Sequence, residues 1–188
     1  MGDSASQTNA RSLRESLVGL DLIAQHTAAY EWAVANGRVI DMFGAFAHER
    51  HLLIFQSGNE FENWIDPVLN IVYKMNTLMH VGGNLLKLFE RIDWYNELFS
   101  TTMLRFVGFQ VMSSKNVYPI FAQSFIPAAR FATEYEISEY MRSKGFEPME
   151  NEGWFESEKF VVSDIKPKNV LCSSDGTIFV IDAEINKK

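Results

Sequence analysis

The sequence predicts an α+β fold, and three observations predict it. Helix-patterned segments are separated by runs of several short strand-patterned segments, not by single strands in strict alternation as a parallel α/β sheet requires. Ser12 with Glu15, and Thr133 with Glu136, form S/T-x-x-E patterns that mark helix starts. Ser113-Ser114-Lys115-Asn116 and Ser173-Ser174-Asp175-Gly176 are turn sequences set between β-branched and aromatic stretches, as in hairpins.

Taken in order, Met1 to Ala10 is small and polar and is expected to be disordered. Residues 12–36 form helix, either one or two with a break near His26, with Leu17, Leu20, Ile23 and Ala24 at helical spacing and Gly37 as the C-terminal stop. His51 to Phe55 is a short strand ending at Ser57-Gly58, and Phe61 to Ile65 with Asn70 to Met75 is a strand pair around Asp66-Pro67. Residues 83–98 return to helix, with Leu85, Leu86, Phe89, Ile92 and Leu98 on one side. Arg105 to Met112 and Val117 to Ile126 make a hairpin, and Thr133 to Lys144 a helix that Gly145 ends. Trp154 to Val162 is a strand or hairpin, and Asn169 to Cys172 pairs with Thr177 to Ile181.

Composition narrows the function classes. The formal net charge is −7 and no basic run or Arg/aromatic alternation is present, which disfavours nucleic acid as a partner. Cys172 is the single cysteine, so no internal disulfide can form; it reads as a small core residue. No apolar stretch reaches the ~18–20 residues of a spanning helix, and no basic-then-apolar leader is visible, so no membrane partner is expected and the chain reads as cytoplasmic. His48 and His51 are three apart, not the four of a helical zinc pair.

The segment richest in chemistry is Asp164-Ile165-Lys166-Pro167-Lys168-Asn169, followed by the Asp175-Gly176 turn and an apolar strand ending at Asp182. This D-x-K-P-x-N, hairpin, Asp sequence resembles the catalytic loop and metal-binding segment of protein kinases. The resemblance implies that Asp164 receives or orients the acceptor hydroxyl, that Lys166 neutralises the transferring phosphoryl group, and that Asn169 and Asp182 hold Mg²⁺. Oxygen ligands of this kind suit Mg²⁺, whose other ligands are waters and phosphates, so ATP and Mg²⁺ are the implied cofactors. Asn70 to Met75 places Lys74 where the kinase pattern has V-A-I-K, and the following helix should supply its partner, Glu90 or else Glu97.

The chain further resembles the polyvalent protein kinase-like domains of bacterial mobile elements. The matching pieces are Glu31-Trp32-Ala33-Val34-Ala35-Asn36-Gly37, Ser57-Gly58-Asn59-Glu60, Ile92-Asp93-Trp94-Tyr95-Asn96-Glu97-Leu98-Phe99, Val107-Gly108-Phe109, Ala122-Gln123-Ser124-Phe125-Ile126 and the 137–146 helix ending. The implied fold is a reduced two-lobed one: a helical extension (1–37), a small antiparallel N-lobe (38–126) and a truncated C-lobe (127–188). Gln123, Ser124 and Phe125 would form the hinge whose backbone binds adenine. The pattern is departed from where Gly58 alone stands for a Gly-rich loop, where Val162-Ser163 precede Asp164 in place of His-Arg, and where Ala183-Glu184 follow Asp182 in place of Phe-Gly. Six residues follow Asp182 in the sequence, so nucleotide is the first expected partner and a protein substrate or partner the second. Three functions are therefore expected in turn: an ATP/Mg-dependent phosphotransferase, a pseudokinase that binds without turnover, and an interaction module in which Lys74 and Asp182 lie far apart.

Overall fold

The computed structural model describes residues 3–55, 60–127 and 130–188. In chain order the elements are α1 (Asp3–Leu17), α2 (Leu22–Ala35), α3 (Ala45–Glu49), β1 (Leu53–Phe55), β2 (Phe61–Asp66), β3 (Ile71–Asn76), α4 (Leu85–Leu98), β4 (Arg105–Ser113), β5 (Asn116–Ser124), β6 (Arg130–Phe131), α5 (Glu134–Ser143), β7 (Glu147–Pro148), β8 (Phe155–Glu156), β9 (Phe160–Ser163), β10 (Val170–Cys172), β11 (Ile178–Val180) and β12 (Glu184–Lys187). The architecture is α+β with small antiparallel sheets. The chain divides into two compact units, residues 1–90 with 104–125, and residues 91–103 with 126–188.

The first unit is built on a five-stranded sheet in the order β1-β2-β3-β5-β4. On one face Met42, Trp64, Tyr73, Met75, Ile120 and Ala122 form a buried cluster. Because strand side chains alternate, Lys74 and Phe121 belong to the opposite face, where Phe121 and Phe106 meet Phe89 of α4 with ring centroids 6.0 and 5.2 Å away. A bulge between Phe106 and Gly108 brings Phe106 and Phe109 together, their centroids 5.1 Å apart. Burial of each such aromatic contributes about 1.5–3 kcal/mol.

The edge of β4 is covered. Phe109 N–H donates to Arg38 O and Ile40 N–H to Phe109 O, each at 2.9 Å. This close approach requires Gly108, since a Cβ there would lie 2.4 Å from Arg38 O.

The N-terminal helices pack against α4's sheet partners, α1 on β4 and α2 on both β4 and β5. Three expectations are corrected here. The helix begins at Asp3, so Ser12 is interior and Glu15 pairs with Arg11 at 3.1 Å instead of capping. The break falls at residues 18–21, where Gly19 has φ 78° and the Asp21 carboxylate caps α2 by accepting from Ala24 N–H at 2.8 Å. Burial of Leu13 and Leu17 against the rest of this unit extends helix into a segment whose composition argued for disorder. At its far end α2 closes with Gly37 at φ 60°, Gly37 N–H donating to Val34 O and Arg38 N–H to Ala33 O.

α2 also sets the start of α4. Gln25 Oε1 accepts from Leu86 N–H at 3.2 Å. His26 Nδ1 accepts from Val117 N–H at 3.2 Å, so its proton sits on Nε2, which donates to Gly83 O at 2.9 Å. On the other sheet face Arg50 anchors α3, lying over the Phe46 ring and 3.3 Å from both the buried Asp66 carboxylate and Tyr73 Oη. Burial raises the Tyr73 pKa, with the Arg50 charge opposing it.

The second unit holds two sheets, β11-β10-β6 and β12-β9-β8-β7. Its helix α5 has the full capping box: Glu136 N–H donates to Thr133 Oγ1, and the Glu136 carboxylate accepts from Thr133 N–H. Gly145, at φ 81°, follows the helix end. The 173–176 turn closes as its sequence predicts, with Thr177 N–H on the Asp175 carboxylate at 3.1 Å and Gly176 at φ 84°. Hydrogen bonds from Ser173 and Thr177 lower the Asp175 pKa to about 2. No helix among the described residues is long and apolar enough to cross a membrane.

Candidate active site

Strand β9 delivers the chain to Asp164, whose φ of 59° is left-handed. Aspartate tolerates this region better than most residues, but it is sparsely populated and collects at functional loops. The conformation turns the chain so that Lys166 N–H donates to Asp164 O at 3.0 Å. A 3₁₀ turn at Pro167–Asn169 then brings Asn169 back. Its Nδ2 donates to Asp164 O at 2.9 Å and to Asp164 Oδ2 at 2.7 Å. Lys168 Nζ lies 3.5 Å from the same carboxylate oxygen. Asp164 therefore keeps a fixed orientation while its side chain stays 40% exposed, open to an incoming group.

Commitment of the Asn169 amide nitrogen to Asp164 leaves the amide oxygen as the acceptor for a cation. Asp182 is half-buried just beyond β11, and Ile181 N–H donates to Asn169 O at 2.9 Å, which ties the two segments by backbone. One amide and one carboxylate oxygen fit Mg²⁺, which takes its remaining ligands from phosphates and water. Among the described residues no group of three or more His, Cys, Asp or Glu could hold a metal; a nucleotide-borne Mg²⁺ does not need one.

Lys166 is braced from a place the sequence did not flag. Gly153 has φ 76°, and a Cβ there would sit 2.8 Å from Lys166 Cγ. Ile165 N–H donates to Gly153 O at 3.0 Å. The sequence shows only a glycine before a tryptophan; neither its left-handed φ nor its partner can be read without the fold.

In the first unit Lys74 is 7% exposed, with Nζ 5.5 Å from the Phe61 ring centroid. Glu90 is half-buried on α4. Glu97 belongs to the second unit. Gln123 and Ser124 are still within the β5–β3 ladder, opposite Val72 and Ile71. Phe125 N–H is given to Asn70 O at 2.9 Å, so a base edge would be read here by other backbone groups. Gly58 lies outside the described residues. A cavity of about 440 Å³ in this unit, lined by Leu22, His26, Leu78, Met79, Lys115 and Tyr118 among others, includes none of the predicted site residues.

Within the second unit the structure thus brings Asp164, Lys168 and Asn169 into direct contact and joins Asn169 to the residue before Asp182. A model of the serine/threonine/tyrosine kinases found in polyvalent proteins matches residues 26–188. No curated protein matches the chain.

Proposed function

Since the chain belongs to the family of serine/threonine/tyrosine kinases found in polyvalent proteins, we propose that it is an ATP- and Mg²⁺-dependent phosphotransferase acting on a hydroxyl. The observation that carries this reading is the Asn169 clamp on Asp164, which aims a carboxylate from a left-handed loop position and frees an amide oxygen beside the Asp182 segment. Asp164 would accept or orient the hydroxyl proton. Lys166, braced by Gly153, would face the transferring phosphoryl group. Asn169 and Asp182 would hold Mg²⁺, which when bound neutralises charge on the phosphates. Lys74 would contact the α- and β-phosphates, Glu90 would orient Lys74, and Gln123 to Phe125 would present backbone to adenine.

The first measurement is thermal unfolding with and without ATP and Mg²⁺, for the chain and for Asp182→Ala. Ligand at 100 times its dissociation constant stabilises by about 2.7 kcal/mol, which is roughly 5–10 °C at this size. A shift that needs Mg²⁺ and is lost in Asp182→Ala supports the reading; no shift at millimolar ATP sinks it. Phosphoryl transfer that is lost in Asp164→Asn, with nucleotide binding kept, supports catalysis. Binding without transfer under any condition would leave a nucleotide-binding module.

A further inference from the structure

Asp182 is followed by Ala183-Glu184, and the glutamate is held by a buried arginine. Arg91 on α4 is 7% exposed. Its Nη2 lies 3.4 Å from Glu184 Oε2, and its Nε donates to Ile185 O at 3.3 Å. All three residues belong to the second unit. On the other side of Asp182, Val180 O accepts from Tyr95 Oη at 2.7 Å and from Thr102 Oγ1 at 2.5 Å. Asp182 therefore sits in a short span secured on both sides by side chains from residues 91–102.

The grip reaches Asp164 too. Glu184 and Ile185 begin β12, which pairs with β9 in the register Glu184↔Ser163 and Ile185↔Val162. Ser163 immediately precedes Asp164. A displacement of β12 would shift both carboxylates that the phosphotransferase reading assigns, one to the metal and one to the hydroxyl.

We propose that Arg91 is a positioning residue for this site: its guanidinium fixes β12 through Glu184 and the Ile185 carbonyl, and so sets Asp182 and Asp164 for Mg²⁺-nucleotide. The inference rests on the phosphotransferase reading. An arginine suits the task because its planar fork offers separate N–H groups at fixed angles, here one to a carboxylate and one to a carbonyl. A lysine would keep the charge and lose that geometry.

The test uses Arg91→Lys and Glu184→Gln in the full chain, with two readouts. Hydrogen exchange is measured along residues 180–187, with α5 as internal reference. ATP binding is titrated with Mg²⁺ to find the half-saturating concentration. The expected result is faster exchange confined to 180–187 in both variants, with α5 unchanged, and a Mg²⁺ midpoint raised about tenfold, as for other residues that orient metal ligands. Unchanged exchange at 180–187, or acceleration shared equally by α5, overturns the grip. Local acceleration with an unmoved Mg²⁺ midpoint overturns the positioning role and leaves an ordinary buried ion pair. Absence of Mg²⁺-dependent ATP binding in the unaltered chain removes the phosphotransferase reading and the positioning role with it. That outcome appears before any substitution is made, and the exchange measurement still decides whether the grip exists.

Discussion

Asn169 and Asp164 hold each other: the amide nitrogen reaches both the carboxylate and the main-chain carbonyl of the aspartate, at 2.7 and 2.9 Å. A donor is required at that point. Asn169→Asp would set a second carboxylate against the first, and two such groups cannot both ionise without cost. The expected outcome is a loss of about 1.5–3 kcal/mol near pH 8, the usual range for a hydrogen bond to a charged group. One of the paired carboxyls then has a raised pKa, so the lost stability returns as pH falls and that group protonates. Urea unfolding at pH 8 and pH 5 measures this; an equal deficit at both would count against the clamp.

Gly153 and Lys166 make a second constrained contact. Gly153→Ala meets two penalties, a left-handed φ of 76° and a Cβ 2.8 Å from Lys166 Cγ. The first costs roughly 1–2 kcal/mol. The second displaces the Lys166 stem, so phosphoryl transfer should fall further than stability predicts. Gly145→Ala is the control: its φ is 81° and its Cβ would meet nothing within 4 Å. It should share the stability loss and retain transfer, and equal loss of transfer in both would remove the special role of Gly153.

The α5 capping box gives a pH-dependent prediction. Bonds from Arg130 first, then Thr133, hold the Glu136 pKa far below the carboxylate range, and the bond to Glu136 raises that of Arg130. A depressed carboxylate pKa contributes stability that is present above the unfolded value, about 4.3, and lost as pH falls through the folded value. Glu136→Gln should therefore be less stable than the unaltered chain at pH 7, and the two should converge as pH drops below about 4. Thr133→Ala, which removes the other half of the box, should cost about 1 kcal/mol. Thermal melts across pH 3–7 check both.

What the sequence determined by itself was whatever is decided over a few residues. The strand pair around Asp66-Pro67, the hairpins, the α5 cap and the 173–176 turn follow from local side-chain bonds and from glycine's access to positive φ. The spacing of Asp164, Lys166 and Asn169 was legible for the same reason, since the loop closes within six residues. Tertiary structure decided the rest, because burial and long-range partners outweigh local preference. Leu13 and Leu17 turned a polar-looking start into helix and left Ser12 inside it. Val39 shadows Phe109 across the β4 edge. β12 exists because β9 offers it a ladder. Arg91 meets Ile185 across 94 positions of sequence, and no pattern within either segment encodes that meeting. It arises only when packing brings the two segments together and the buried guanidinium must find partners for its charge and its N–H groups.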